Sequence, residues 1–336
     1  MLLHESASVF RFPSRKLCQK SCGLVSHVIR RDFNTGPPTV RERLLAAPRP
    51  INYNDPRVPH ASVFAMKPLL YAALAGYVVA AIHALLAFVN KRRAAERITF
   101  YSVIFGFAAH TAAIIVDWVQ DGHYPLFHLP ETISFLAWTL VVAFGLVTYR
   151  YPLRALGAFL LPVVSLLVIA SQLVREDTGL VASRVTDGGA AWLFPVHTTL
   201  LLFAYASFFV AFSASVMYLW QERELRLKKF SAVFHRLPSL NTVDDVGSTA
   251  ASVGFTLLTL GIVTGVIWSR ARSGRMFHND PIEFFALLTW VLYLTQLHYR
   301  VQWRGRKAAW LGVAGFTLVV CTFVGAVMLG GFHVFG

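Results

Sequence analysis

The sequence is short of charge, cysteine and acid, and each shortage removes a class of protein. Of its 336 residues 14% are charged, against about a quarter in an ordinary soluble domain, so a soluble globule is excluded. Three cysteines occur, Cys18 and Cys22 near the N-terminus and Cys321 in an apolar run, and no Cys-x-x-Cys is present. That argues against thiol redox chemistry, a covalently held c-type heme and a disulfide scaffold. Acids are scarce as well, with 17 Asp and Glu facing 31 Lys and Arg for a net charge of +14. In a soluble chain this surplus would suggest nucleic acid. Here no nucleic acid partner is expected, because the surplus lies where cytoplasmic loops of a membrane protein would carry it.

What the sequence has in quantity is apolar residues, 56% of the chain. They gather into eight segments, at about 69–89, 98–118, 132–149, 155–174, 194–220, 249–268, 282–299 and 310–332. Crossing a bilayer core takes roughly 20 residues as a helix, and hydrocarbon leaves a lone span no other way to satisfy its backbone. The expectation is an all-α polytopic protein with eight transmembrane helices, multi-pass in the inner (cytoplasmic) cell membrane. Runs of this length exclude a β-barrel.

The connecting loops alternate in charge. Lys91, Arg92, Arg93 and Arg97 follow the first segment, Asp117, Asp121 and Glu131 flank the next connection, and Arg150 and Arg154 surround the one after it. Arg223, Arg226, Lys228, Lys229 and Arg236 follow the fifth segment, and Arg300, Arg304, Arg306 and Lys307 the seventh. Basic loops face the cytoplasm, which puts both termini outside. Residues 1–65 form a separate tail with ten Lys and Arg against four Asp and Glu, six prolines between Pro37 and Pro59, and no apolar period. It is expected to lack a packed fold, and reads either as a targeting segment or as translation from an upstream start, with Met66 the natural first residue of a 66–336 domain. The outer loop from Trp268 to Pro281 also goes against the charge pattern, with Arg270, Arg272 and Arg275. These suit an anionic ligand or a lipid headgroup.

Among twelve histidines, His197 opens the fifth segment and His333 closes the eighth, both at the outer end. Two imidazoles from two helices can ligate a heme iron axially, although a histidine at a helix end is often only an interfacial polar group. His298 lies near the inner end of the seventh segment, His83 in the inner third of the first and His110 near the middle of the second. Each is either a buried histidine bonded to a neighbouring helix or a ligand of an intramembrane heme. Depth favours His83 as the in-chain partner of His298, since at 1.5 Å per residue His83 lies roughly 9 Å from its inner helix end and His110 roughly 18 Å.

Several stretches carry a family resemblance. His110-Thr111, Gly122-His123-Tyr124-Pro125, Glu131 to Trp138, Val196-His197-Thr198, Leu237-Pro238-Ser239-Leu240, Thr259 to Gly265 with Trp268, Asp280-Pro281-Ile282-Glu283, Leu297 to Arg300 and Gly331-Phe332-His333 resemble the CcsA-type (CcsA/ResC/HemX-like) cytochrome c assembly proteins, in order and from about residue 66 onward. The resemblance implies heme binding and transport in cytochrome c-type biogenesis. His197 and His333 would be axial ligands of an outer heme and His298 a ligand of an intramembrane one, with heme b held non-covalently. A CcsB/ResB-like membrane subunit and apocytochrome c are the implied partners. The resemblance implies that the other inner ligand commonly comes from that CcsB-like partner; within the chain it points to His110, which has at least a structural role, against the depth argument for His83.

The departure lies in the tryptophan-rich outer motif. Family members read approximately Trp-Gly-x-x-Trp-x-Trp-Asp-Pro-x-Glu, whereas this chain keeps Gly274, Asp280, Pro281 and Glu283 and has Ser273, Phe277 and Asn279 in place of the indoles. One phenylalanine supplies less stacking surface than three indoles. Trp268 and Arg275 complete the expected site, Arg275 with the other loop arginines as a partner for propionates. Two functions follow. In the first, the chain is a heme-delivery subunit of system II cytochrome c maturation, acting within a holocytochrome c synthase without a catalytic acid, base or nucleophile of its own. In the second, a HemX/YpjD-like non-enzymatic protein stabilises or regulates a heme-synthesis or assembly partner. A transporter comes third.

Overall fold

The computed structural model describes residues 61–90, 93–121, 124–151, 154–174, 192–228, 234–300 and 302–328. Among them every regular element is helical. The order is α1 (Ala61–Asn90), α2 (Arg93–Asp121), α3 (Leu129–Arg150), α4 (Arg154–Leu173), α5 (Leu193–Leu227), a short 3-10 turn (Phe234–Arg236), α6 (Leu240–Ser273), α7 (Pro281–His298) and α8 (Arg306–Met328). All eight expected helices are therefore present. Seven are long and apolar enough to cross a membrane. The other, α7, has 18 residues, a rise of about 27 Å, and its apolar middle is framed by Glu283, Gln296 and His298. The protein is a multi-pass membrane protein.

Several helices run past the apolar segments that mark them. α6 begins at Leu240, nine residues before its apolar run, because Ser239 caps it by accepting from the Thr242 N–H, satisfying one of the orphan donors of a helix start. α1 begins at Ala61, within the expected tail. The remainder of that tail lies outside the described residues.

Helices pack mainly as sequential pairs, α1 with α2, α3 with α4, α5 with α6 and α7 with α8, cross-linked by α1 on α4 and by α5 on both α3 and α8. α5 is the central element: 61% of its most apolar window is buried, against 17% for α2. Small residues permit the closest approaches. A Cβ on Gly76 would lie 2.9 Å from the Gly106 Cα, so only glycines let α1 and α2 meet there. In the core Phe208 of α5 stacks on Tyr293 of α7, centroids 3.8 Å apart and planes 11° from parallel.

Two ends of the bundle are distinct. At one, the end of α5 meets the starts of α6 and α8 and the end of α7: Arg304 pairs with Asp244 at 3.4 Å, Arg300 with Asp245 at 3.7 Å and Arg306 with Glu222 at 3.7 Å. This is the basic end. At the other, Phe127 of the α2–α3 loop stacks on Phe194 of α5, which packs on Trp268 of α6 at 5.3 Å. The end of α2, the starts of α3, α5 and α7 and the end of α6 meet there.

Candidate site at the loop end of the bundle

His197 stands on the first turns of α5, where its position depends on two glycines of α6. Its Nδ1 lies 2.7 Å from the Gly261 carbonyl oxygen. A carbonyl can only accept, so Nδ1 carries the proton, and in the neutral ring Nε2 is the nitrogen with the lone pair. That tautomer, fixed by a carbonyl behind the ring, is how proteins prepare a histidine for a metal. Gly265 supplies the space. A Cβ there would sit 2.6 Å from Cε1 and 2.7 Å from Nδ1 of His197. The Gly-x-x-x-Gly of α6 thus forms a seat for one imidazole, a role that sequence spacing alone did not disclose.

Around this seat the loop end is built twice by one device. α3 opens with Pro130 at its second position and Glu131 at its third, and the Glu131 carboxylate accepts from the backbone N–H groups of Phe127 and His128 at 3.0 and 3.3 Å. α7 opens with Asp280 as its cap and Pro281 and Glu283 at its first and third positions. Asp280 accepts from the Ile282 N–H at 3.1 Å, and Glu283 accepts from the His278 N–H at 3.0 and 3.2 Å. Each glutamate ties back the loop that precedes its helix, as in a capping box. Gly274 and Asn279, with φ of +72° and +57°, make the reversal between α6 and α7.

The expected site residues fall into distinct surroundings. Gly274, Phe277, Asp280, Glu283 and Arg275 share the α6–α7 turn, where Phe277 is 56% exposed. Trp268 is only 4% exposed. It is packed under Phe194, with the Arg272 guanidinium 5.2 Å from its ring, so it supports the turn from beneath and is not an open stacking face. His333 and His123 lie outside the described residues. α8 runs from the basic end toward the end that holds His197.

The other histidines are not gathered at one place. His110 is fully buried, with Nδ1 at 3.3 Å from the Tyr77 hydroxyl and Nε2 at 2.9 Å from the Ser134 hydroxyl. Both ring nitrogens are used in joining α1, α2 and α3. His83 donates Nδ1–H to the Val79 carbonyl of its own helix at 2.8 Å. His298 is exposed at the end of α7, edge-on to Tyr299 at 4.9 Å. α1 packs on α2 and α4 while α7 packs on α8 and α6, so His83 and His298 sit on helices with different neighbours. Sequence reading passed over His278 and Ser269 and saw Ser273 only as a replaced tryptophan, yet the three hold the α6–α7 turn together. Their polarity in an outer loop was the only signal available.

Comparison with known proteins agrees with this architecture. A family model described as cytochrome C assembly protein matches residues 126–333, more than half of the chain. The cytochrome c biogenesis protein CcsA of Prochlorococcus marinus (strain MIT 9515) is 27% identical over 275 residues, covering 75% of this chain and 87% of its own. That of Guillardia theta is 28% identical over 258 residues, covering 71% and 85%. Among solved structures, the cytochrome c heme lyase CcmF superposes with a TM-score of 0.58 at 18% identity. The match covers 79% of this chain and 46% of CcmF, and at that identity the likeness is one of fold.

Proposed function

The chain belongs to the cytochrome C assembly protein family and its role lies in cytochrome c maturation; from that premise we propose that it holds heme as cargo at the loop end of the bundle and delivers it to apocytochrome c. The observation that carries this is the seat of His197, an imidazole whose Nδ1–H is committed to the Gly261 carbonyl while Gly265 leaves the ring its space. The donor set fits heme. A neutral imidazole with its lone pair on Nε2 is a standard axial ligand, the exposed Phe277 ring offers a face for a porphyrin, and Arg270, Arg272 and Arg275 suit its propionates. His333 would supply the second axial nitrogen.

In this reading the loop end faces outward and the basic end faces the cytoplasm, as the positive-inside bias requires of a protein of the inner cell membrane. Heme b enters from the cytoplasmic side and is held non-covalently near His298, whose exposure at the end of α7 suits a second ligand contributed by a CcsB/ResB-like subunit of system II. Bound heme supplies the vinyl groups that react with apocytochrome thiols within the holocytochrome c synthase. The chain's own residues orient the cargo and exclude water, and none acts as acid, base or nucleophile. The sequence before α1 is a tail outside the functional domain, and Met66, one turn into α1, is the natural first residue of that domain.

One observation favours a second reading. Trp268 is buried beneath Phe194 and the turn presents Phe277 as its aromatic ring, so stacking surface for heme is reduced. A HemX/YpjD-like regulator of a heme-synthesis or assembly partner would tolerate that loss. Co-expression with a CcsB-like subunit and a Cys-x-x-Cys-His reporter in cells lacking their own maturation system separates the two. Delivery predicts a heme-stained reporter band that disappears on His197→Ala. A band of unchanged strength in that variant would overturn the delivery reading.

A further inference from the structure

The turn between α6 and α7 does not fix itself by burying its own apolar side chains. Met276 and Phe277 are 44% and 56% exposed, and the reversal passes through two left-handed residues, Gly274 and Asn279. A seven-residue connection of this type needs something to fix it, because each ordered residue costs about 1 to 2 kcal/mol of backbone entropy. We infer that His278 is the positioning residue of this turn, and that its imidazole, tied between the end of α6 and the first turn of α7, is what presents Phe277 and the loop arginines to the cargo. This inference rests on the reading of the loop end as a heme site.

The geometry is specific. The His278 Nε2 lies 2.9 Å from the Ser273 Oγ, and its Nδ1 lies 3.3 Å from the Ser269 Oγ and 3.5 Å from the Glu283 carboxylate. The His278 backbone N–H donates to both oxygens of that carboxylate. The two serines also grip the middle of the turn. Ser269 donates to the Arg275 carbonyl at 3.0 Å, and the Arg275 N–H donates to the Ser273 Oγ at 3.2 Å. One ring therefore connects the last two turns of α6 with Glu283 of α7, and residues 275–277 are held between.

Ser273, His278 and Glu283 have the order of a nucleophile, base and acid, but the chemistry is different. The Ser273 hydroxyl lies 2.8 Å from the Ser269 carbonyl, an acceptor of its own helix, so the serine is engaged in holding the turn whichever ring nitrogen carries the proton. The arrangement is a clamp. Its consequence lies in what it leaves outside: Met276 and Phe277 form an apolar tip, with Arg270, Arg272 and Arg275 exposed beside it. An exposed aromatic ring in a segment that also exposes three arginines suits a planar, apolar body bearing carboxylates. The polar clamp holds the turn and Phe277 presents its ring.

The test uses full-length protein in lipid nanodiscs, with hemin as the probe and two readouts: hydrogen exchange of segment 274–280 without hemin, and hemin affinity from the visible spectrum. In His278→Ala the segment should exchange at least tenfold faster, and hemin should bind roughly tenfold more weakly, the equivalent of one lost hydrogen bond at the upper end of the usual net range. His278→Gln, whose amide can restore a hydrogen bond to Ser273, should recover part of both. Glu283→Gln should loosen the segment to a smaller degree and keeps the test available should the alanine variant fold poorly. Unchanged exchange in His278→Ala would overturn the clamp. Faster exchange with unaltered hemin affinity would uphold the tie within the turn and overturn the assignment of that turn to heme.

Discussion

Gly265→Ala is the smallest change that reaches the proposed heme site without touching a ligand. The added methyl would lie 2.6 Å from Cε1 and 2.7 Å from Nδ1 of His197. Holding the ring in place against such a contact costs about 1 to 3 kcal/mol, whereas the bond to Gly261 that favours the seat contributes about 1 kcal/mol. In the unaltered protein the seated ring is therefore the majority state. In the variant it is disfavoured by about 1 kcal/mol at the middle of the range and about 2 at the top. Apparent affinity scales with the competent fraction, so hemin binding should weaken roughly fivefold, and by about twenty-fivefold at the upper limit. The fold should suffer less, because the ring can swing away and forfeit only its hydrogen bond.

Two other glycines make the controls. A Cβ on Gly145 meets nothing within 4 Å, so Gly145→Ala should leave binding unchanged and, within a helix, should not lower stability. A Cβ on Gly254 would lie 2.6 Å from the Phe208 ring, which is buried and stacked on Tyr293 and has nowhere to swing. Gly254→Ala should cost about 1 to 3 kcal/mol of stability and leave hemin affinity alone. The assay is hemin titration followed by visible absorption, alongside thermal unfolding. Hemin affinity in Gly265→Ala equal to that in Gly145→Ala would refute the idea that Gly265 seats a heme ligand.

Three further outcomes are expected. His110→Leu removes the partner of both Tyr77 and Ser134 and should destabilise the bundle by about 2 to 3 kcal/mol without changing heme content, measured by unfolding and by pyridine hemochrome. His298→Ala should lower heme content of protein co-purified with its partner while leaving thermal stability unaltered, since the residue is exposed at a helix end; His83→Ala, bonded within its own helix, should leave heme content as it was. Expression from Met66 should give a membrane-inserted protein with full hemin affinity, checked by membrane fractionation and titration.

How far the sequence reached can be seen at particular residues. Eight helices were legible because apolar runs near 20 residues have one structural outcome in hydrocarbon, whereas the pairing of the helices came only from the packing. Helix ends were less legible: Ser239 starts α6 in polar sequence, so hydropathy placed the start too late, while the cap that fixes it is a local bond. His197 could be located at a helix end from charge alternation, yet its orientation depends on Gly261 and Gly265, 64 and 68 residues away in the chain, and no spacing rule links them. Trp268 illustrates the opposite case. A tryptophan beside an outer loop suggests a stacking face, but Phe194 from another helix covers it. His110 shows that a histidine in mid-helix can be wholly occupied by neighbours that only the packing identifies.

The central claim, that His197 presents an imidazole to heme at the loop end of the bundle, is tested most directly by the visible spectrum of purified His197→Gly protein titrated with hemin, with and without added imidazole. Removing the side chain while keeping its cavity allows free imidazole to take the same seat. The account predicts that the low-spin signal of the unaltered protein is lost in the variant and returns as imidazole is added, whereas Gly145→Ala protein shows the full signal throughout. A low-spin spectrum in His197→Gly identical to that of the unaltered protein, with no response to imidazole, would contradict it.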